Sequence, residues 1–216
     1  MKILGFLHVA KLNHWKDVFR SQLGKLRRFG LYDATVVINV TALGTDEEDD
    51  LFNDPKFVLH RLDDISAHEF QTLERLYRAS TEEDCLLWYM HGKGVSRPLE
   101  RQRMEDWREF MEYFSIERYP LCLRALEVSD ICGVNWTTHR APHFSGNFWW
   151  ARSDYIRTLP SPMTLDQSDR WQAEWWVGSN PSARVACFLN SGVDHYKRGF
   201  PRSMYASADV SLDVQY

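Results

Sequence analysis

Lys2–Val9 (KILGFLHV), His14–Phe29 (HWKDVFRSQLGKLRRF) and Ala34–Val40 (ATVVINV) follow one another at the start of the chain. The first is an apolar run short enough to be a buried strand. The second carries Trp15, Val18, Phe19, Leu23 and Leu26 at helical spacing with basic residues between them, and Gly30 supplies its stop. The third is rich in β-branched residues, which suit a pleated sheet. Strand, helix and strand in that order are a βαβ unit, so the fold is read as α/β with a parallel sheet and a right-handed crossover.

The same reading continues along the chain. Strands are predicted at Phe57–Leu62, Cys85–Met90 (CLLWYM), Ile131–Trp136 (ICGVNW), His143–Arg152 (HFSGNFWWAR) and Arg184–Leu189. Helices are predicted over Ala67–Ala79, Glu100–Phe114, Ile116–Val128, Ser153–Leu159 (capped by Ser153 or Asp154) and Ser168–Val177. No repeat or linker interrupts them, so a single domain over residues 1–216 is expected.

Composition excludes several classes. The 216 residues are 44% hydrophobic and 26% charged, which rules out a disordered or fibrous chain. The 26 basic and 30 acidic residues leave a net charge of −4, so a general nucleic-acid binder is not expected. Charges interrupt every apolar run well short of a membrane span, and residues 1–10 lack a signal-peptide cleavage site; a cytoplasmic protein without an integral membrane segment is expected. Cys85, Cys122, Cys132 and Cys187 sit in apolar runs without CxxC pairing and read as buried thiols. The nine Trp, nine Tyr and twelve Phe, dense in the second half, suggest a site for flat amphipathic ligands. The acidic stretch Asp46–Asp50 reads as a solvated loop or helix start.

Three constellations could carry chemistry. His91-Gly92-Lys93-Gly94 follows the most apolar strand, and in open α/β sheets ligands sit beyond the carboxyl ends of strands. Its glycines permit close backbone approach, and Lys93 offers a charge for a phosphate, although neither GxxxxGK[ST] nor GxGxxG is present. His143-Phe144-Ser145-Gly146-Asn147-Phe148-Trp149-Trp150 alternates so that Asn147 and Trp149 share one face, where an amide and an indole could receive a sugar; a Trp-rich core strand is the plain alternative. Arg170 and Glu174 lie four apart on a Trp-flanked helix, either as a simple ion pair or as a general base with its holder. Asp63-Asp64 is the best carboxylate pair for a divalent cation or for a phosphohydrolase. His139 and Arg140 could face an acceptor, and His195, Lys197 and Arg198 could close over a diphosphate. No nucleophile motif is supported, since Ser145 lies in F-S-G-N rather than G-x-S-x-G.

The order of motifs resembles a group of small glycosyltransferase-like proteins of the GT-A, nucleotide-diphospho-sugar transferase type, found in bacterial polysaccharide loci and large viruses. The resemblance runs from about residue 3 to residue 200. It rests on a strand followed by H-x-K-G, Trp107-Arg108 with Met111 and Tyr113-Phe114, the C-G-V-N-W strand, H-F-S-G-N-F-W-W-A and R-x-x-x-E-x-W. It implies a GT-A-like (Rossmann-like) mixed, mostly parallel sheet flanked by helices, with a nucleotide-binding half over about 1–95 and an acceptor-binding half over about 96–216. GT-A enzymes usually hold Mn²⁺ or Mg²⁺ on the diphosphate through Asp-x-Asp. Here His91-Gly92-Lys93 stands in that place, so Lys93 replaces the cation's charge or an acid such as Asp64 recruits the ion; no metal ligand is assigned. His195 loosely matches a late histidine that some of these enzymes bring to the metal.

The function this implies is transfer of a sugar from a nucleotide diphosphate, a UDP-sugar foremost, to a glycan hydroxyl within a larger polysaccharide-assembly system. On that reading His8, Val9, Ala10, Lys11, Arg61 and Asp63 cradle the nucleoside. His91, Gly92, Lys93, Gly94, His195 and Arg198 meet the diphosphate, while His139, His143, Ser145, Gly146, Asn147, Trp149 and Trp150 position the acceptor. Glu174, held by Arg170, takes the proton in an inverting enzyme and only positions in a retaining one. The alternative is a noncatalytic glycan- or nucleotide-sugar-binding module of a larger synthase.

Overall fold

A computed structural model describes residues 1–47, 50–207 and 213–215. The chain begins with β1 (Lys2–Ala10), α1 (Trp15–Arg28), the single-turn α2 (Leu31–Ala34), β2 (Val37–Leu43) and β3 (Phe57–Leu62). It continues with α3 (Phe70–Glu82), β4 (Cys85–His91), α4 (Arg101–Glu112) and, after a wide turn over Tyr113–Glu117, α5 (Tyr119–Ala125). The remainder comprises β5 (Ile131–Gly133), the hairpin strands β6 (Trp136–Thr137) and β7 (His143–Phe144), β8 (Trp149–Arg152), α6 (Ser153–Ile156), α7 (Trp171–Trp175), β9 (Val185–Cys187) and β10 (Asp213–Gln215). Glu48 and Asp49 of the acidic stretch lie outside the described residues; its first member, Asp46, accepts a 2.6 Å bond from the Trp15 indole.

The main sheet runs β10-β9-β5-β8-β4-β1-β2-β3. β3, β2, β1 and β4 pair in parallel, as do β5 and β9, while β8 runs antiparallel to both β4 and β5 and β10 runs antiparallel to β9. This is the expected mixed, mostly parallel sheet. Alternation along each strand divides the core into two layers. Ile3, Leu7 and Val9 of β1, with Trp88, Met90 and Trp150, pack against α1, α4 and α5. Leu4, Phe6, Leu87, Tyr89 and Trp149 pack on the opposite face against α3 and α6.

Several sequence expectations shift. α3 begins at Phe70, because Asp64 caps a separate turn over Ile65–Ala67 through the Ser66 amide. β2 starts three residues later than the β-branched run, since α2 occupies Leu31–Ala34. The expected His143–Arg152 strand is broken by a turn at Ser145–Phe148. α6 has Arg152 at its cap and no side-chain bond, in place of the Ser153 or Asp154 cap. The aromatic density is chiefly core: Trp15, Trp88, Trp107, Trp149, Trp150 and Trp176 are all fully buried. Among the described residues no helix is long and apolar enough to cross a membrane.

Gly5 fits this packing because Trp88, its partner across β1 and β4, lies flat over it. A Cβ at residue 5 would sit 2.1 Å from the indole, and that indole is tied to Thr35 Oγ1 at 3.1 Å. Gly5→Ala is expected to lower stability by about 1–3 kcal/mol through overpacking; a reduced denaturant midpoint at unchanged slope measures it.

Candidate functional site

The carboxyl ends of β1 and β4 open into a cavity of about 400 Å³. Register decides what stands at its base. His8 and His91 are direct partners in the parallel β1–β4 ladder, so both rings leave the sheet on the α3 side. His8 Nδ1 lies 3.0 Å from Thr72 Oγ1 of α3, and burial pushes its pKa down to about 4. His91 is likewise lowered by burial, so the ring is neutral at pH 7. Its Nε2 donates to the Gly146 carbonyl at 2.9 Å, which leaves Nδ1 as an acceptor.

Glu69, immediately before α3, stands beside this pair. Tyr89 Oη and Asn147 Nδ2 both donate to its Oε2, at 2.5 and 2.6 Å. Burial works to raise its pKa, but His91, His8 and these two bonds outweigh burial and hold the carboxyl below its usual range. Tyr89 is pushed well up, first by burial and then by the Glu69 charge.

Gly146 and Asn147 join the elements of the site. Their φ angles of 98° and 58° are left-handed, which Gly adopts freely and Asn tolerates. The Gly146 N–H donates to Glu174 Oε1 of α7 at 2.9 Å while its carbonyl accepts from His91. Asn147 donates to Glu69 and accepts from the Trp149 indole at 2.8 Å.

The opposite side of the cavity is cationic. Lys93 Nζ stands 3.8 Å above the Trp107 ring, and the Arg97 guanidinium 4.9 Å above Tyr196 while pairing with Glu100 at 3.2 Å. Gly94, at φ 95°, lets the loop lie on α4, where a Cβ would come within 2.7 Å of Met104. Arg108 fixes the loop from below by donating to the Lys93 carbonyl at 3.0 Å. Arg108 also pairs with the fully buried Glu112, which Lys25 meets at 2.6 Å.

Of the residues expected in the site, His8, Ala10, His91, Lys93, Gly94, Asn147, Arg170 and Glu174 line this cavity. Gly92 supports it through a bond from its N–H to the His8 carbonyl. The expected Arg170–Glu174 pair does not form. α7 begins only at Trp171, so Arg170 is its cap residue, exposed, with its guanidinium 4.9 Å over the Trp171 ring.

The other residues lie off the cavity wall. Val9 points to the opposite core layer, the Lys11 amide continues the sheet to Leu43, and Arg61, Asp63 and Arg198 are exposed elsewhere. His195 is buried, stacked at 4.8 Å on Trp107 and bonded to Asn135 and Ser191, and burial lowers its pKa to about 4. His139 is exposed, whereas His143 is buried with Nδ1 on the Ala141 carbonyl. Ser145 gives its N–H to the Asn135 carbonyl, and Gly146 acts through its backbone. Trp149 and Trp150, expected against an acceptor, are core residues whose indoles bond to Asn147 and the Ser115 carbonyl.

Sequence reasoning missed Glu69, Arg97, Trp171 and Tyr196. Glu69 reads as a helix-interior charge when α3 is started at Ala67. Only the β1–β4 register shows what it faces.

A divalent cation fits these residues poorly. The expected position holds the Lys93 ammonium, and Asp64, whose Oδ1 accepts from the Ser66 N–H and hydroxyl, does not line the cavity. Among the described residues no three of His, Cys, Asp and Glu converge as ligands.

Residues 6–169 match a protein family described as "Domain of unknown function (DUF8361)". No curated protein matches the chain. The matched span takes in His8, Glu69, His91, Lys93 and Asn147 and stops before Arg170, Glu174 and Tyr196.

Two outcomes follow from this geometry. Gly146→Ala forces a side chain into a left-handed turn and within 2.4 Å of Met111 Sδ. It should cost more than about 1 kcal/mol, read by chemical denaturation. His8 and His195 are neutral in the fold down to about pH 4 but protonate near 6.5 when unfolded. Stability is therefore full above about pH 6.5 and falls as pH drops toward 4, on the order of 3 kcal/mol per histidine. Denaturant midpoints at pH 7.5 and 5 measure that slope, and His8→Asn should flatten it.

Proposed function

We propose that the chain, which belongs to this family of unknown function, is a glycosyltransferase of GT-A type. It transfers a sugar from a nucleotide diphosphate, a UDP-sugar foremost, to a glycan hydroxyl. One observation carries the reading: the cavity has two chemically opposite walls. Lys93 and Arg97, with Arg170 nearby, offer positive charge. Facing them, His91 Nδ1, Glu69 Oε1 and Glu174 Oε2 accept no hydrogen bond from the described residues, although each group is anchored through its other polar atom. A cationic wall calls for phosphate, and an acceptor wall calls for hydroxyl hydrogens. A sugar nucleotide has both.

Position and size support the same reading. The cavity lies where the chain leaves β1 toward β2 on one side and β4 flanks it on the other, the switch point at which open α/β sheets bind ligands. About 400 Å³ lies within the range of small-molecule sites. Trp171 and Tyr196 add aromatic faces that can cover a base or a sugar ring.

In the transfer, the acceptor oxygen forms a bond to the anomeric carbon as the bond to the diphosphate breaks. The electron pair leaves on the diphosphate, whose growing charge Lys93 and Arg97 offset. Glu174 takes the acceptor proton on Oε2 while the Gly146 N–H holds Oε1 in place. Arg170 remains at the mouth, where it can meet the diphosphate or the acceptor.

A noncatalytic binding module would use the same walls. Glu174→Gln separates the two readings, because Gln can still accept the Gly146 bond. Transfer or slow donor hydrolysis should fall by about 10²–10⁴ with donor binding unchanged. Lys93→Ala should weaken UDP binding about tenfold, read as a smaller ligand-induced rise in melting temperature. No turnover in the unsubstituted protein, with binding intact, would support the module. No response to UDP-, GDP- or dTDP-sugars would contradict both readings.

A further inference from the structure

We propose that Glu69 selects the donor sugar: its unpaired Oε1 takes a hydroxyl hydrogen, admitting uncharged sugars and excluding sugar acids. The inference rests on the nucleotide-sugar reading of the cavity.

Several carboxylates of this chain bond through both oxygens. Asp130 gives one to each end of the Arg184 fork, Asp154 does so with Arg152, and Glu117 with Arg202. Glu74 divides its oxygens between Arg78 and Ser161. Glu69 differs. Tyr89 and Asn147 both converge on Oε2, and Oε1 receives no bond from the described residues although the group lines the cavity. That oxygen is left to the cavity, where a ligand donor can reach it.

The two neighbouring rings are each engaged through one nitrogen. The His91 Nε2 hydrogen is committed to Gly146, His8 Nδ1 is engaged with Thr72, and both rings are neutral. The carboxylate cannot easily swing away. Tyr89 is fixed by stacking on Trp149 at 5.2 Å, and Asn147 is tied to the same indole. A rigid, ionised acceptor therefore awaits a ligand hydrogen. A sugar hydroxyl provides one. A sugar carboxylate provides none and places a second negative charge beside Glu69, while Lys93 and Arg97 are held on the other wall against aromatic rings. Glu174 is left to the acceptor proton, so the two carboxylates have separate tasks.

The test is calorimetric binding of UDP, UDP-glucose and UDP-glucuronate to the full chain and to Glu69→Gln and Glu69→Asp. The unsubstituted protein should bind UDP-glucose at least about tenfold more tightly than UDP-glucuronate. Glu69→Gln, which can still accept from Tyr89 and Asn147, should lose about tenfold for UDP-glucose and gain for UDP-glucuronate, with UDP unchanged. Glu69→Asp keeps the charge but withdraws the oxygen, so it should weaken UDP-glucose and still reject UDP-glucuronate. Equal affinities of the unsubstituted protein for the two sugar nucleotides would overturn the inference and leave the donor reading standing. Equal loss of UDP and UDP-glucose in Glu69→Gln would move Glu69 to the ribose and also overturn it. No binding of any of the three would overturn the inference together with the UDP-sugar reading.

Discussion

The site depends on the backbone of one residue. Gly146 gives its N–H to Glu174 and its carbonyl to His91, and Asn147 beside it holds Glu69 and receives Trp149. Two consecutive left-handed residues are unfavourable for most side chains, and they persist here because several bonds over-determine them. Those bonds reach β4, α7, the residue before α3 and β8. A turn inserted into an otherwise apolar strand thus positions groups from four parts of the chain around one cavity.

Burial gives these bonds their weight. In a low-dielectric interior a satisfied polar network is strong and an unsatisfied member is costly. Burial lowers the pKa of both histidines at the end of the β1–β4 ladder, and His91, His8 and the two bonds from Tyr89 and Asn147 hold the Glu69 carboxyl below its usual range against burial. Lys93 is held apart on Trp107 by a loop that Arg108 and the buried Glu112 support from α4. Separation of an acceptor wall from a cationic wall is therefore a product of the scaffold, and it is the basis for reading a sugar diphosphate.

Much of the scaffold was legible in the sequence. The apolar run KILGFLHV, helical spacing from Trp15 to Leu26 and the apolar run CLLWYM foretell β1, α1 and β4, and the rule that ligands gather beyond strand ends directs attention to His91 and Lys93. What alternation cannot give is register. That His8 and His91 stand side by side, and that Glu69 faces them, follows from how β1 and β4 align and from where α3 begins. The tryptophans of FWW show the opposite failure: they suit a sugar platform, but helices cover both faces of β8 and place them in the core. Arg170 and Glu174 keep helical spacing, but no pair forms, because Arg170 lies over the Trp171 ring while Glu174 turns to the Gly146 N–H.

A crystal structure of the chain with a bound UDP-sugar such as UDP-glucose tests the central claim most directly. The diphosphate should lie between Lys93 and Arg97, with the sugar against Glu69 and Glu174 and the Gly146 backbone unmoved. A ligand seated elsewhere, or a Gly146 backbone that rearranges and releases Glu174 and His91 on binding, would contradict it.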